Sequence, residues 1–167
     1  EMMGDKKMPG LAKKFLRDLL PSESGMEGSM TVSLFAGCVI DFMYPEIGEA
    51  MWKVLEKSGV KALFPKAQSC CGAPACYMGD GAAAKKLAVD NLLALETGSP
   101  DWVITGCPTC AVVMKEHFAR LLAGTPWEQR AEKLADKVLD FSRFAKEVLG
   151  VELRGEGQKK VTYHDPC

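Results

Sequence analysis

Short runs of β-branched and aromatic residues alternate with longer stretches of helical periodicity along these 167 residues. That alternation predicts an α/β fold with three layers: a mostly parallel sheet of about four strands with helices on both faces. A second observation is metric. Cys38 and Cys70 lie 32 positions apart and Cys71 and Cys107 lie 36 apart, close to the roughly 30 residues or more of one βαβ unit. The third is composition. A chain 47% hydrophobic and 26% charged, with net charge −1, has what one globular domain with a proper core requires.

Taken in order, residues 1–30 read as an approach segment. Leu11, Phe15, Leu16 and Leu19 recur at helical spacing, Pro21 ends the helix, and Ser22 to Ser29 have the composition of a flexible joint. The helix is either a strap on its own domain or a lever arm from an upstream one. The abrupt start at Glu1-Met2-Met3 favours the lever arm, and the chain is expected to be a piece of something longer. Thr31 to Ala36 is a first strand, ended by Gly37-Cys38, and Ile47, Met51, Val54 and Leu55 mark the inner face of a helix from about Pro45 to Ser58. Val60 to Phe64 is a second strand, leading into the loop with Cys70 and Cys71. Ala84, Ala88, Leu92 and Leu95 carry the next helix, and Asp101 to Thr105 a third strand. A helix opens at Pro108 with Met114, Phe118, Leu121 and Leu122 inward. Leu134, Val138, Phe141, Ala145 and Val148 hold one further helical face, with Asp140 a possible cap for a separate helix, and Val161 to His164 is the expected fourth strand.

Charge and hydropathy exclude several roles. No basic excess points to nucleic acid, and no apolar run approaches the 18 or so residues that cross a bilayer. The seven cysteines come without an export signal, so a reducing cytoplasm is the expected setting, where thiols act as ligands or redox centres rather than disulfides.

Five of the cysteines form the pattern C-x31-C-C-x35-C-x2-C, namely Cys38, Cys70, Cys71, Cys107 and Cys110. The adjacent pair cannot easily bond to itself, because neighbouring Cα atoms are about 3.8 Å apart and disulfides prefer a wider separation. If each group follows a strand, all five emerge at the carboxyl edge of one sheet, where open α/β sheets bind ligands. Structural zinc takes four ligands in a closed tetrahedron, and so does an ordinary cubane cluster; five thiols overfill both. Pro45, Pro74 and Pro108 stand where helices begin, so helix N-termini are expected to face the sulfurs.

The residues Phe35-Ala36-Gly37-Cys38, Ser69-Cys70-Cys71-Gly72 and Gly106-Cys107-Pro108-Thr109-Cys110 resemble the cysteine-rich, or CCG, domain. That domain occurs in heterodisulfide reductase and in the iron–sulfur subunits of glycolate oxidase, lactate-utilisation enzymes and anaerobic glycerol-3-phosphate dehydrogenase. The resemblance covers residues 31–167. It implies a non-cubane [4Fe–4S] cluster on Cys38, Cys70, Cys71, Cys107 and Cys110, which an air-purified fragment can lack. It also implies that residues 1–30 are a linker from a ferredoxin-like domain and 31–160 the first CCG domain. Tyr163-His164-Asp165-Pro166-Cys167 would then open a second repeat, within 161–167, with Cys167 equivalent to Cys38. Cys76 is outside the shared pattern and reads as a small core or neighbouring thiol, with a substitute ligand as the alternative.

The leading expectation is therefore an iron–sulfur electron-transfer module of a 2-hydroxyacid (glycolate or lactate) oxidoreductase. It would be cytoplasmic, would take electrons from a flavoprotein subunit through other iron–sulfur domains, and would pass them toward a quinone or another carrier. A heterodisulfide reductase-like cluster that cleaves a disulfide is the second reading, and a zinc-binding structural module the third. A thioredoxin-type dithiol at Cys107 and Cys110 leaves three cysteines unexplained. His117 reads as a boundary residue, His164 as a satisfied buried histidine, and Trp52, Trp102 and Trp127 as packing.

Overall fold

In the computed structural model, which describes residues 10–28, 30–152 and Thr162, four strands form one sheet. They are β1 (Thr31–Phe35), β2 (Lys61–Leu63), β3 (Trp102–Thr105) and β4 (Val138–Asp140), in the order β2-β1-β3-β4. Every pairing is parallel, with Ser33 opposite Leu63 and Val103, and Val103 opposite Val138. Side chains alternate across the sheet, and both faces are covered, as a parallel sheet requires.

On one face, Phe35, Val103 and Val138 pack against the helices that follow β2 and β3. These are α5 (Gly81–Glu96), α6 (Pro108–Val112), a π-turn (Val113–His117), α7 (Phe118–Leu121) and α8 (Glu128–Lys137). On the other face, Val32, Leu34, Ile104 and Leu139 pack against Ile40 of α2 (Gly37–Phe42) and Met51, Trp52 and Leu55 of α3 (Pro45–Lys57). Leu16 of α1 (Leu16–Leu19) and Phe144 of a second π-turn (Phe144–Val148) complete that layer. The three-layer α/β fold is the one the pattern predicts.

Several expectations need correction. Val138 does not continue a helix: Val138, Leu139 and Asp140 pair with β3 and supply the fourth strand, and Asp140 then caps α9 (Phe141–Arg143) by accepting from the Arg143 N–H at 3.0 Å. The expected strand from Val161 to His164 lies outside the described residues apart from Thr162, as do His164 and Cys167. Ile47 is 44% exposed, and the inner face of α3 runs instead through Pro45, Gly48, Met51, Trp52 and Leu55. The reason is Leu16, whose Cδ2 would stand 2.1 Å from a Cβ on Gly48, so that α3 can lie against α1 only there. Leu121 is only half-buried. Pro45 opens α3 one helix downstream of Cys38, because Cys38 already lies inside α2.

Residues 11–24 are a strap rather than a free arm. Leu16 is fully buried, and Asp41, itself 1% exposed, accepts from Arg17 through the backbone N–H at 3.0 Å and Nε at 2.6 Å. Ser22 and Ser24, placed in the expected flexible joint, are ordered on the outer edge of β2. Phe64 N–H donates to Ser22 O at 2.8 Å, Ser24 N–H to Ala62 O at 2.8 Å, and Ala62 N–H to Ser24 Oγ at 2.9 Å. A short antiparallel bridge between Glu23 and Leu63 thus covers an edge that would otherwise template aggregation. No helix among the described residues is long and apolar enough to cross a membrane.

Leu16→Ala is expected to destabilise the domain by about 2–5 kcal/mol, the usual cost of a buried leucine. Urea unfolding measures it, and a loss under ~1 kcal/mol would remove the strap from the core.

Candidate metal centre

The strand order reverses at β1: one connection leaves it for β2, and β3 then returns on its other side. That is the switch point at whose carboxyl end α/β sheets open a crevice. Cys38 follows β1, Cys107 follows β3, and the Cys70–Cys71 loop follows β2, so the three groups meet there. They line a cavity of about 200 Å³ together with Ala36, Val39, Ala73, Pro74 and Thr109. That is more than ten times the roughly 10–15 Å³ one water needs. The lining contains no charged side chain.

All five thiols are free, with Cys71 and Cys110 buried and Cys38, Cys70 and Cys107 half-buried. Each alters the proton affinity of its neighbours around the cavity. Cys70 hydrogen-bonds to Cys38 and to Cys71, and Cys110 donates to both Cys71 and Cys107. The proton distribution follows. The Cys110 hydrogen bond, joined by the backbone N–H groups of Cys110 and Thr109, pulls the Cys107 thiol down to about 6. Cys71 is pulled down to about 7, first by Cys110. Cys110, donating to both, is driven far up, and burial pushes Cys70 up to about 11.

Local structure explains how the sulfurs come so close. Gly37 has φ +64, and a Cβ there would stand 3.0 Å from Cys110 Sγ. Gly72 has φ +89, the left-handed turn that starts α4 (Ala73–Tyr77) straight after Cys71, and its N–H donates to Cys70 Sγ at 3.4 Å. Cys107 caps α6, and its own N–H is held by Thr105 Oγ1 at 3.2 Å. The hydroxyl of Ser69, beside Cys70, is buried without a hydrogen-bond partner.

Among the described residues no three His, Cys, Asp or Glu side chains gather around one point as a single ion requires. All five cysteines line the one cavity. An all-sulfur donor set selects soft metals and iron–sulfur clusters, and an apolar shell limits water. The residues fit a metal or an iron–sulfur cluster.

Three polar residues at the site carried no role in the sequence reading. Gln68 and Asn91 are buried at 3% and 0% exposure. Asn91 Oδ1 accepts from Ser69 N–H, and its Nδ2 donates to Cys70 O, each at 2.8 Å. The third is Asp41. The signals were present: Asn91 interrupts the apolar stripe Ala84, Ala88, Leu92, Leu95, and Asp41 is a lone carboxylate three residues past Cys38.

Cys76 lies outside the thiol cavity. It lines a separate cavity of about 360 Å³ with Lys85, His117 and Arg120, and burial raises its thiol, with the Cys71 charge adding to the effect. His117 is half-buried, its ring edge-on to Tyr77 at 6.2 Å. Trp52, Trp102 and Trp127 all pack against the core.

In the reduced, metal-free chain at pH 7, Cys107 is mainly thiolate and Cys70 is protonated. Iodoacetamide should therefore modify Cys107 ahead of Cys70 and Cys76, as read by peptide mass mapping. Cys107 labelling should fall as pH drops through about 6, because its lowered value keeps the thiolate down to that point. Cys70 labelling should keep rising above pH 9. Cys70 reacting first at pH 7 would contradict this proton distribution.

Comparison with known proteins follows the same lines. A cysteine-rich domain family model, CCG, matches residues 32–115. Lactate utilization protein A of Geobacillus kaustophilus (strain HTA426) is 39% identical over 140 residues, 83% of this chain and 57% of the relative. Lactate utilization protein A of Shouchella clausii (strain KSM-K16) is also 39% identical over 140 residues, with the same coverage. That of Geobacillus sp. (strain WCH70) is 37% identical over 139 residues, 83% of this chain and 58% of the relative. The chain thus spans a little over half the length of these curated relatives. With the matched span enclosing all five thiols of the cavity, this chain belongs to the CCG, cysteine-rich domain family.

Proposed function

We propose that this chain is an iron–sulfur electron-transfer module of a lactate- or glycolate-oxidising system, with Cys38, Cys70, Cys71, Cys107 and Cys110 holding a non-cubane [4Fe–4S] cluster. The observation that carries this reading is the gathering of all five thiols around one largely apolar cavity at the sheet's switch point. When bound, such a cluster supplies one-electron transfer. The chain's own residues do the rest. Cys107 and Cys71 offer thiolates near neutral pH, and Cys110, which holds its proton in the metal-free chain, would give it up to a bound metal. The N–H groups of Thr109 and Cys110 hold negative charge at Cys107, and buried Ala36 and Ala73 make part of the wall beside the sulfurs apolar.

The names of the relatives support lactate as the metabolic context. In this reading substrate oxidation occurs on a flavoprotein subunit, and electrons pass through other iron–sulfur domains toward a quinone or another carrier, on the cytoplasmic side. Residues 1–30 lead from a ferredoxin-like domain, 31–160 form the first CCG domain, and 161–167 open a second repeat.

Anaerobic reconstitution with iron and sulfide, followed by iron and acid-labile sulfide assays and electron paramagnetic resonance, tests the assignment. Cys70→Ser and Cys71→Ser should each lose or alter the signal. Parental iron and spectra in both variants would reject the pair as ligands, and one equivalent of zinc without sulfide would favour a structural module.

A further inference from the structure

Gln68 joins two of the three cysteine loops through its side chain. β2 ends at Leu63, opposite Ser33, so β1 beyond that point has no strand on that side. The buried Gln68 amide takes the vacant place. Its Oε1 accepts from Ala36 N–H at 2.7 Å, and its Nε2 donates to Leu34 O at 3.0 Å. Ala36 stands two residues before Cys38, and Gln68 two before Cys70. One side chain therefore ties both loops at equal distance from their first sulfurs. From outside, Arg17 Nη2 reaches Gln68 O at 3.4 Å while the same guanidinium grips Asp41 of the Cys38 helix. The third loop is set independently, by Thr105 Oγ1 on Cys107 N–H.

We propose that Gln68 is the positioning residue of the thiol cavity, fixing where Cys38 stands against Cys70 and Cys71. This rests on the reading that the five thiols hold one cluster. One atom must accept and the other donate, which the neutral amide does at any pH and a carboxyl group does only while protonated. Gln68→Glu keeps the acceptor but turns a carboxylate oxygen toward the Leu34 carbonyl. Gln68→Leu leaves both backbone groups buried and unpaired. Arg17→Lys keeps a cation for Asp41 but lacks the fork that also reaches Gln68 O.

Two readouts on the full chain decide it. In the reduced, cluster-free protein, hydrogen exchange in Gln68→Leu and Gln68→Glu should quicken by about tenfold over residues 36–41 and 68–71, with 105–111 at the parental rate. Arg17→Lys should quicken 68–71 more than 36–41. After anaerobic reconstitution, the Gln68 variants should show shifted paramagnetic resonance line positions, not merely a lower yield of the parental spectrum. Should Gln68→Leu fail to fold, Gln68→Glu carries the comparison. Parental exchange at both loops, or uniform quickening across all three, would overturn the proposal, as would an unshifted spectrum. A parent chain that takes up no iron would sink the cluster reading instead, and the exchange data would still decide on Gln68.

Discussion

Five thiols lining one cavity, with mostly apolar side chains around them and no charged neighbour in the lining, cannot all ionise. Two unit charges about 4 Å apart near a protein surface repel by roughly 4 kcal/mol, and a drier site raises that cost. The chain resolves the conflict by sharing protons. Cys110 keeps its own and donates it in two directions, which lets Cys107 and Cys71 hold negative charge, while Cys70 stays protonated beside Cys38. A bound cation would offset the repulsion, so metal binding at such a site would be linked to proton release. The close approach of the sulfurs also explains Gly37, where a side chain would intrude on Cys110.

The sheet makes that contact possible. Its strands are short, with β2 only Lys61–Leu63, and each delivers its loop to the same edge within a few residues. The reversal of strand order at β1 separates the helices on the two faces and leaves room between the Cys38 and Cys107 loops. A short sheet leaves backbone groups without ladder partners, and buried side chains satisfy them. Gln68 pairs with the end of β1, and Asn91 fixes Ser69 and Cys70 against α5. Each side chain both accepts and donates, so its polar ends are paired rather than buried at a cost.

The strap adds a tether from outside the sheet. Arg17 is a third exposed but Asp41 is almost wholly buried, so the pair holds a carboxylate that would be costly to leave alone. Lys66 reinforces it through the carbonyls of Arg17 and Leu20. The segment that leads into the domain is thus mechanically joined to the loop that precedes Cys70.

Legibility in the sequence followed the range of the interactions. The β1, β2 and β3 runs, the inward face of α5, and Met114, Phe118 and Leu122 after β3 were readable, because period and turn chemistry are local. Val138 to Asp140 was not, since a three-residue strand inside a helical period is decided by pairing with β3. Ile47 was misread because the inner face of α3 was set by Leu16, a distant contact on a glycine. For the site, residue type and spacing singled out five cysteines and, given a strand before each group, their shared sheet edge, because a crossover has a fixed minimum length; setting Cys76 aside rested on the family resemblance. Which sulfurs touch, which keeps its proton, and that Gln68, Asn91 and Asp41 hold the loops were decided only by the tertiary structure. Those depend on strand order, on where β2 stops, and on burial, none of which is carried by any local stretch of chain.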